Sequence, residues 1–127
     1  MRRTGNEHEE RAVAGSDRLD ELATRLFTAI ERGDAEAFWC CFEPDGVIVR
    51  NGTEQRTARS FAERMAGRPA DAPAYRYRRV RREFFAGGFL EEHEVHVEPA
   101  GTAPVRHACV IGRVGGGGLI RELREYI

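Results

Sequence analysis

The chain has 127 residues and a formal net charge of −1, a length that predicts one hydrophobic core and a charge that gives no general attraction to nucleic acid or anionic membranes. All 20 Lys and Arg residues are arginine. Schiff-base, pyridoxal phosphate and P-loop chemistry are therefore excluded, because each requires a lysine amine. No apolar run approaches the length of a membrane span or forms a signal peptide, so a cytoplasmic protein is expected.

The first residues with a helical spacing of apolar side chains follow residue 15. Residues 1–15 are polar and aperiodic, which predicts a flexible tail ahead of a single domain at 16–127. Ser16 is expected to cap a first helix that Gly33 ends, and Asp34 to cap a second, shorter helix that a turn at 44–46 ends. A short strand at 47–49 and a third helix at 58–65 complete the first half.

The second half of the chain changes to long segments of alternating apolar and polar residues, at 75–86, 89–98, 105–114 and 119–127. Gly87-Gly88 and the loops at 99–104 and 115–118 separate them in the manner of hairpins. Helices followed by an antiparallel meander predict an α+β fold, with the helices packed on one face of a bent sheet around a hollow.

Alternation assigns the side chains of segment 89–98 to two faces. The set that contains Phe89 and Val95 is the more apolar, so Glu91 and His93 are predicted to point inward, with His96 on the solvent side. If the following hairpin pairs residue 93 with about residue 109, His107 lies diagonally across from His93 on the same face.

Two hypotheses remain open for these polar residues. In the first, His93 moves a proton, Glu91 orients it, and His107 or Glu125 stabilises the developing charge. In the second, Glu91 and His93 form a structural ion pair, while Glu125 is a rim carboxylate paired with Arg121 or Arg113. The expected pocket wall consists of Trp39, Phe42, Phe61, Tyr77 and Cys109.

No metal or cofactor is predicted. The three cysteines are the adjacent pair Cys40 and Cys41 and a distant Cys109, a spacing that is typical neither of a metal site nor of a disulfide framework. The arginine-rich run at 76–82 is interpreted as a solvated or dimer-facing surface of the sheet, since a net charge near zero argues against a nucleic-acid groove.

Three segments resemble SnoaL-like proteins. Segment 26–34, Leu-Phe-Thr-Ala-Ile-Glu-Arg-Gly-Asp, and segment 42–47, Phe-Glu-Pro-Asp-Gly-Val, are similar to the opening of those proteins, and segment 118–126, Gly-Leu-Ile-Arg-Glu-Leu-Arg-Glu-Tyr, is similar to their last strand. The resemblance implies the fold of nuclear transport factor 2, a cone-shaped, curved antiparallel sheet packed against three N-terminal helices and enclosing a pocket. It also implies homodimers that pair through the outer sheet face, here including 75–82.

The resemblance carries over to individual residues as follows. The tyrosine and the base aspartate of ketosteroid isomerases fall on Leu26 and Arg50, which cannot perform that chemistry. The polar layout of limonene epoxide hydrolase is more similar, with Glu91 and His93 on one strand and Glu125 on the last.

SnoaL-like cyclases use a pocket acid/base without a cofactor, which implies that role for His93 with Glu91. The expected ligand is a small apolar-to-amphipathic molecule, polyketide-like or terpenoid-like, from secondary metabolism. The alternative is a non-catalytic ligand-binding or dimerisation module of the same fold.

Overall fold

The computed structural model describes the backbone of residues 4–127 except residue 102, and the side chains from Gly15 onward with the same exception. Within these residues the elements are α1 (Thr4–Arg32), α2 (Ala35–Trp39), β1 (Phe42–Arg50), β2 (Glu54–Thr57), α3 (Ala58–Ala66), β3 (Ala74–Phe85), β4 (Gly88–Glu98), β5 (Arg106–Val114) and β6 (Ile120–Tyr126). The strands form one curved, open sheet in the order β2-β1-β6-β5-β4-β3. The predicted α+β class is confirmed.

Helix α1 begins at Thr4, so the predicted start at Ser16 and its role as an N-cap are wrong. Residues 7–14 are rich in Glu, Arg and Ala, which favour a helix without any apolar periodicity. Helix α1 runs through the expected boundary at residue 15. The division into a tail at 1–15 and a domain at 16–127 stays a prediction. Residues 1–3 of that tail lie outside the described residues.

The end of α1 lies where the sequence predicts it. Gly33 adopts a φ of 66°, which favours glycine, and its N–H donates to Ile30 O at 3.2 Å while Asp34 N–H donates to Ala29 O at 2.9 Å. Asp34 then caps α2, because its Oδ1 accepts a hydrogen bond from Ala37 N–H at 3.0 Å. The two helices are joined by this short, fully hydrogen-bonded corner.

The first two strands differ from the sequence prediction. Strand β1 begins at Phe42 and includes residues 44–46 as an irregular stretch, since its pairing with β6 shifts between Phe42 and Val47. The pairing of β1 with β6 is parallel. All the other neighbouring strands of the sheet, including β1 and β2, pair antiparallel. Strand β2 was not predicted, because all four of its residues are exposed and show no alternation.

Strand β3 contains a β-bulge that changes which residues face the helices. Arg79 lies opposite His93 and Arg81 lies opposite Glu92, so Val80 is an extra residue on β3. Before the bulge the odd-numbered residues of β3 face inward, and after it the even-numbered ones do.

The hydrophobic core lies between the helices and the inner face of the sheet. Its largest fully buried apolar side chains are Phe38, Phe89, Leu22, Leu26 and Ile120. Two polar residues, Glu91 and His93, are buried as deeply as these apolar ones. Burial of polar groups in a core costs free energy unless they are hydrogen-bonded, so their partners define the candidate site.

Candidate functional site

Glu91 and His93 form a buried hydrogen-bonded pair on the inner face of β4. Their relative exposures are 2% and 1%, and Glu91 Oε2 lies 2.7 Å from His93 Nδ1. Residues two apart on a strand share a face, which brings the two side chains together. The predicted inward direction of both residues is confirmed.

The His93 ring is enclosed by aromatic side chains. Tyr77 on β3 stacks on it with ring centroids 4.3 Å apart and an interplanar angle of 20°, and Phe27 on α1 meets it edge-on at 5.0 Å. Among the described residues, no group is within hydrogen-bonding distance of the buried His93 Nε2 atom. The ring is therefore held through Nδ1 and by stacking, with its second nitrogen unpaired.

Arg82 is the third charged member of the cluster, and its role was not predicted. Its Nε donates to Glu91 Oε1 at 2.7 Å, and its Nη1 donates to Asp20 Oδ1 at 2.6 Å and to Thr24 Oγ1 at 2.8 Å. The side chain is only 8% exposed, so its assignment to a solvated or dimer-facing run is wrong.

A signal for this contact was present in the sequence. The tight turn at Gly87-Gly88 sets the register of the hairpin, and counting back from Phe85 opposite Gly88 places Arg82 opposite Glu91.

A polar row crosses the inner face of the sheet at the level of Glu91. The paired positions from β3 to β1 are Arg82, Glu91, Val110, Glu125 and Arg50. Glu125 forms an ion pair with Arg50, with Oε1 and Nε 3.3 Å apart. The row has a guanidinium at each end and a carboxylate next to each guanidinium, so its charges are balanced.

Glu125 lies on the inner face, with Leu123, which settles a direction that the sequence leaves open. Its partner is Arg50, and the expected pairing with Arg121 or Arg113 is wrong. Arg121 pairs instead with Glu43, at 3.7 Å.

Tyr77 lies between the polar row and α1. Burial is the main cause that raises the pKa of its hydroxyl, and the nearby carboxylates of Glu125, Glu31 and Glu91 raise it further. The hydroxyl therefore stays protonated at neutral pH. The Tyr77 N–H donates to Glu31 Oε2 at 2.9 Å, which ties the outer edge of β3 to the end of α1.

His107 does not join this cluster. His93 pairs with Ala108, one residue away from the predicted register, and a shift of one residue moves a side chain to the other face of the sheet. His107 pairs with Glu94 on the outer face, and its side chain is 75% exposed. The prediction that His107 shares a cavity with His93 is wrong.

Cys109 is displaced for the same reason. It lies opposite Glu92 and Tyr126 on the outer face, so it does not contribute to an inner pocket wall.

The other residues expected to line the pocket lie on the helix side of the sheet. Phe42 and Phe61 pack against Phe38, with ring centroids 4.9 and 5.2 Å apart, and Trp39 packs against the same core. Contact of these residues or of Tyr77 with a ligand stays a prediction.

A surface pocket of about 310 Å³ lies between α1 and β3. It is lined by Ser16, Asp17, Asp20, Arg79, Arg82 and Phe84. Arg82 belongs to both this pocket and the buried cluster. The predicted inner cavity with Glu91 and His93 in its wall stays a prediction.

The search for other kinds of site was limited to the described residues. Within them, no cluster of three or more His, Cys, Asp or Glu side chains is arranged to hold a metal ion. None of the helices in the same part of the chain combines the length and apolar character of a membrane span.

Comparisons with known proteins show the fold. No protein-family model matches the chain, and no curated protein matches its sequence. Among solved structures, an LEH-like epoxide hydrolase from M. tuberculosis has a TM-score of 0.71 at 19% identity, with 87% of this chain and 82% of that chain covered. A protein from Xanthomonas campestris pv. campestris, provisionally described as a polyketide cyclase, has a TM-score of 0.72 at 19% identity, with 89% and 92% covered.

An NTF2-like protein of unknown function from Cytophaga hutchinsonii has a TM-score of 0.67 at 10% identity, with 85% of this chain and 88% of that chain covered. At such identities the likeness establishes the fold and not the activity. The expected SnoaL-like, nuclear transport factor 2-like fold is confirmed.

Proposed function

We propose that this protein, which has the fold of the SnoaL-like and nuclear transport factor 2-like proteins, is a cofactor-independent acid–base enzyme acting on a small molecule. The observation that carries the proposal is the His93 ring, in which Nδ1 contacts the Glu91 carboxylate and Nε2 finds no partner in the described part of the chain. A buried nitrogen without a partner is costly, and such an atom is accounted for when a substrate supplies the missing contact.

The chemistry follows from the two nitrogens. A carboxylate is only an acceptor, so Nδ1 is the nitrogen that carries the hydrogen in its contact with Glu91. Nε2 of the neutral ring then holds a lone pair and can take a proton from a carbon or a water and return it later. The neutral Tyr77 hydroxyl is a hydrogen-bond donor suited to a developing oxyanion.

Access to His93 requires a side chain to move. The ring is 1% exposed, and of the two aromatic residues that contact it, Phe27 is buried and Tyr77 is half-buried. We propose that Tyr77 is displaced when a substrate enters. Because aromatic and apolar side chains surround His93, the substrate class that fits is apolar to amphipathic, as in polyketide-like or terpenoid-like metabolites of cytoplasmic secondary metabolism.

A second function is favoured by a specific observation. Arg82 already pairs with Glu91, so the carboxylate is satisfied without any catalytic role. In that case Arg82, Glu91 and His93 form a structural network, and the protein is a non-catalytic ligand-binding or dimerisation module.

The test that separates the two functions is a pair of histidine substitutions on the same strand. His93→Gln removes proton transfer and keeps much of the volume, so turnover of polyketide-like or epoxide substrates should fall about a hundred- to ten-thousand-fold while ligand binding persists. His96→Gln is the matched control, because His96 also bonds to a glutamate two residues away, Glu94, but on the outer face. Turnover of the control should equal that of the wild type.

Two results would contradict the proposed enzymatic function. If residual turnover of His93→Gln merely follows its folded fraction in thermal denaturation, or if the wild type turns over no substrate that it binds, the binding module is the correct function.

We also propose that the protein forms a homodimer through the outer sheet face. That face carries the exposed aromatic side chains Phe85 and Tyr126 among charged residues, a composition suited to an isologous contact. Light scattering at micromolar concentration should report a dimer, and the double variant Phe85→Ser with Tyr126→Ser a monomer. A monomeric wild type would refute the proposal.

A further inference from the structure

The guanidinium of Arg82 is held along two edges. One edge bonds to Glu91 on β4, and the other bonds to Asp20 and Thr24 on α1. The donors of a guanidinium lie in a fixed planar fork, so partners on two edges leave it one orientation. With its side chain 8% exposed, Arg82 is a fixed link between the helix and the buried pair.

This link determines which oxygen of Glu91 can contact His93. Oε1 accepts from Arg82 Nε, which leaves Oε2, 2.7 Å from His93 Nδ1, for the histidine. A charge-assisted hydrogen bond to a guanidinium is short and strong, so rotation of the Glu91 carboxylate would break it. Glu91 is thereby held in the one orientation that accepts a hydrogen from Nδ1.

We propose that Arg82 is a positioning residue that fixes the tautomer of His93. Through Glu91 it keeps the ring hydrogen on Nδ1 and the lone pair on Nε2, the nitrogen that the proposed reaction uses; the catalytic consequence rests on the proposed function. Arg82 acts through Glu91, and it is separated from the reacting atoms by that residue. Residues that orient metal-bound histidines typically change affinity or activity ten- to a hundredfold when they are removed, and we expect an effect of similar size here.

The β-bulge in β3 supports the inference. With Val80 as the extra residue, Arg79 and Arg82, three residues apart, both face inward, while the adjacent Arg81 bonds to Glu92 on the outer face. Bulges that redirect a side chain are frequent next to functional sites. Two neighbouring arginines thus make the same kind of contact on opposite faces, which provides a matched control.

The experiment measures the His93 tautomer by ¹⁵N NMR in the full chain, labelled at histidine. In the wild type, Nδ1 should give the signal of a protonated nitrogen and Nε2 that of an unprotonated one. In Arg82→Gln a substantial fraction should carry the hydrogen on Nε2, and Arg82→Lys, which keeps the charge and loses the fork, should lie between. Arg81→Gln should match the wild type.

Turnover is measured on the same four proteins and should fall at least about tenfold in Arg82→Gln, by the size of effect known for the orienting partners of metal-bound histidines, by less in Arg82→Lys, and not in Arg81→Gln. The inference is overturned if the Arg82 variants give the His93 signals of Arg81→Gln, or if the wild type already carries the hydrogen on Nε2. If Arg82→Gln does not fold, Arg82→Lys decides, and unchanged His93 signals in it overturn the inference. A changed tautomer without any turnover by the wild type supports the positioning role and refutes the proposed enzyme.

Discussion

Strand β4 carries two Glu/His pairs of the same sequence spacing in opposite environments. Glu91 and His93 lie 2.7 Å apart on the inner face, and Glu94 and His96 lie 3.0 Å apart on the outer face. Each pair joins residues i and i+2, and His93 bonds through Nδ1 whereas His96 bonds through Nε2. The odd or even residue numbers place the two pairs on opposite faces of the strand. The inner pair is buried against Arg82 and Tyr77, while the outer pair is partly exposed.

The difference shows that the degree of burial determines whether such a Glu/His pair needs further hydrogen-bond partners. An exposed carboxylate or imidazole can bond to water instead of to its partner at little cost in free energy. The outer pair therefore contributes little to stability and needs no further hydrogen-bond partner from the protein. In the inner pair each atom must find a partner or remain unsatisfied, so Arg82 completes Glu91 while His93 Nε2 has no partner within the described residues. The same motif is a surface contact in one place and a candidate site in the other.

The largest expected effect on stability comes from removing the charge of the inner glutamate, Glu91, with the outer glutamate, Glu94, as the control. Glu91→Gln leaves the buried guanidinium of Arg82 without one of its two carboxylates, so the free energy of unfolding should fall by about 3 kcal/mol. Glu94→Gln is the control and should leave it unchanged within error. Chemical denaturation of both variants checks the expectation, and equal losses would mean that the inner pair is no more important than the outer one.

A smaller loss is expected where the inner face is most closely packed. A Cβ atom added at Gly112 on β5 would lie 2.5 Å from Phe89 Cζ, and Phe89 is fully buried. Gly112→Ala should therefore lower the free energy of unfolding by about 2 kcal/mol. Gly116→Ala should have little effect, because a Cβ atom there meets nothing within 4 Å. Thermal unfolding that is unchanged in Gly112→Ala would show that the inner face can relax.

The smallest expected effect concerns the outer pair. The hydrogen bond from His96 is the main cause that lowers the pKa of Glu94, so His96→Gln should raise that pKa toward the ordinary glutamate value of about 4.5. Because the folded-state pKa is lowered, any stabilisation is present above pH 4.5 and is lost as the pH falls through the lowered pKa.

A carboxyl ¹³C titration by NMR measures the shift. His107→Gln serves as the comparison, because His107 lies 3.8 Å from Glu94 and is the weakest of the causes that lower its pKa. An equal shift in both variants would show that the hydrogen bond from His96 is not the main cause.

The sequence predicts the helix ends at Gly33 and Asp34 and the inward direction of Glu91 and His93, because capping residues and alternation are local signals. It did not predict the parallel pairing of β1 with β6, which joins residues far apart in the chain. The position of His107 was wrong because a loop of uncertain length does not fix the register to one residue. The role of Arg82 was missed because the arginine run at 76–82 was interpreted as one solvated surface, although the turn at Gly87-Gly88 places Arg82 opposite Glu91.

The bulge in β3 makes one residue of the strand dispensable to the positions of its neighbours. Val80 is 58% exposed and is the extra residue on the strand. Deleting it would leave Arg79, Arg81 and Arg82 in regular alternation, so Arg79 and Arg82 would keep facing α1 and Arg81 would stay on the outer face. The two halves of β3 would then pair with β4 without interruption, and the strand would lose the local bend and twist that a bulge adds.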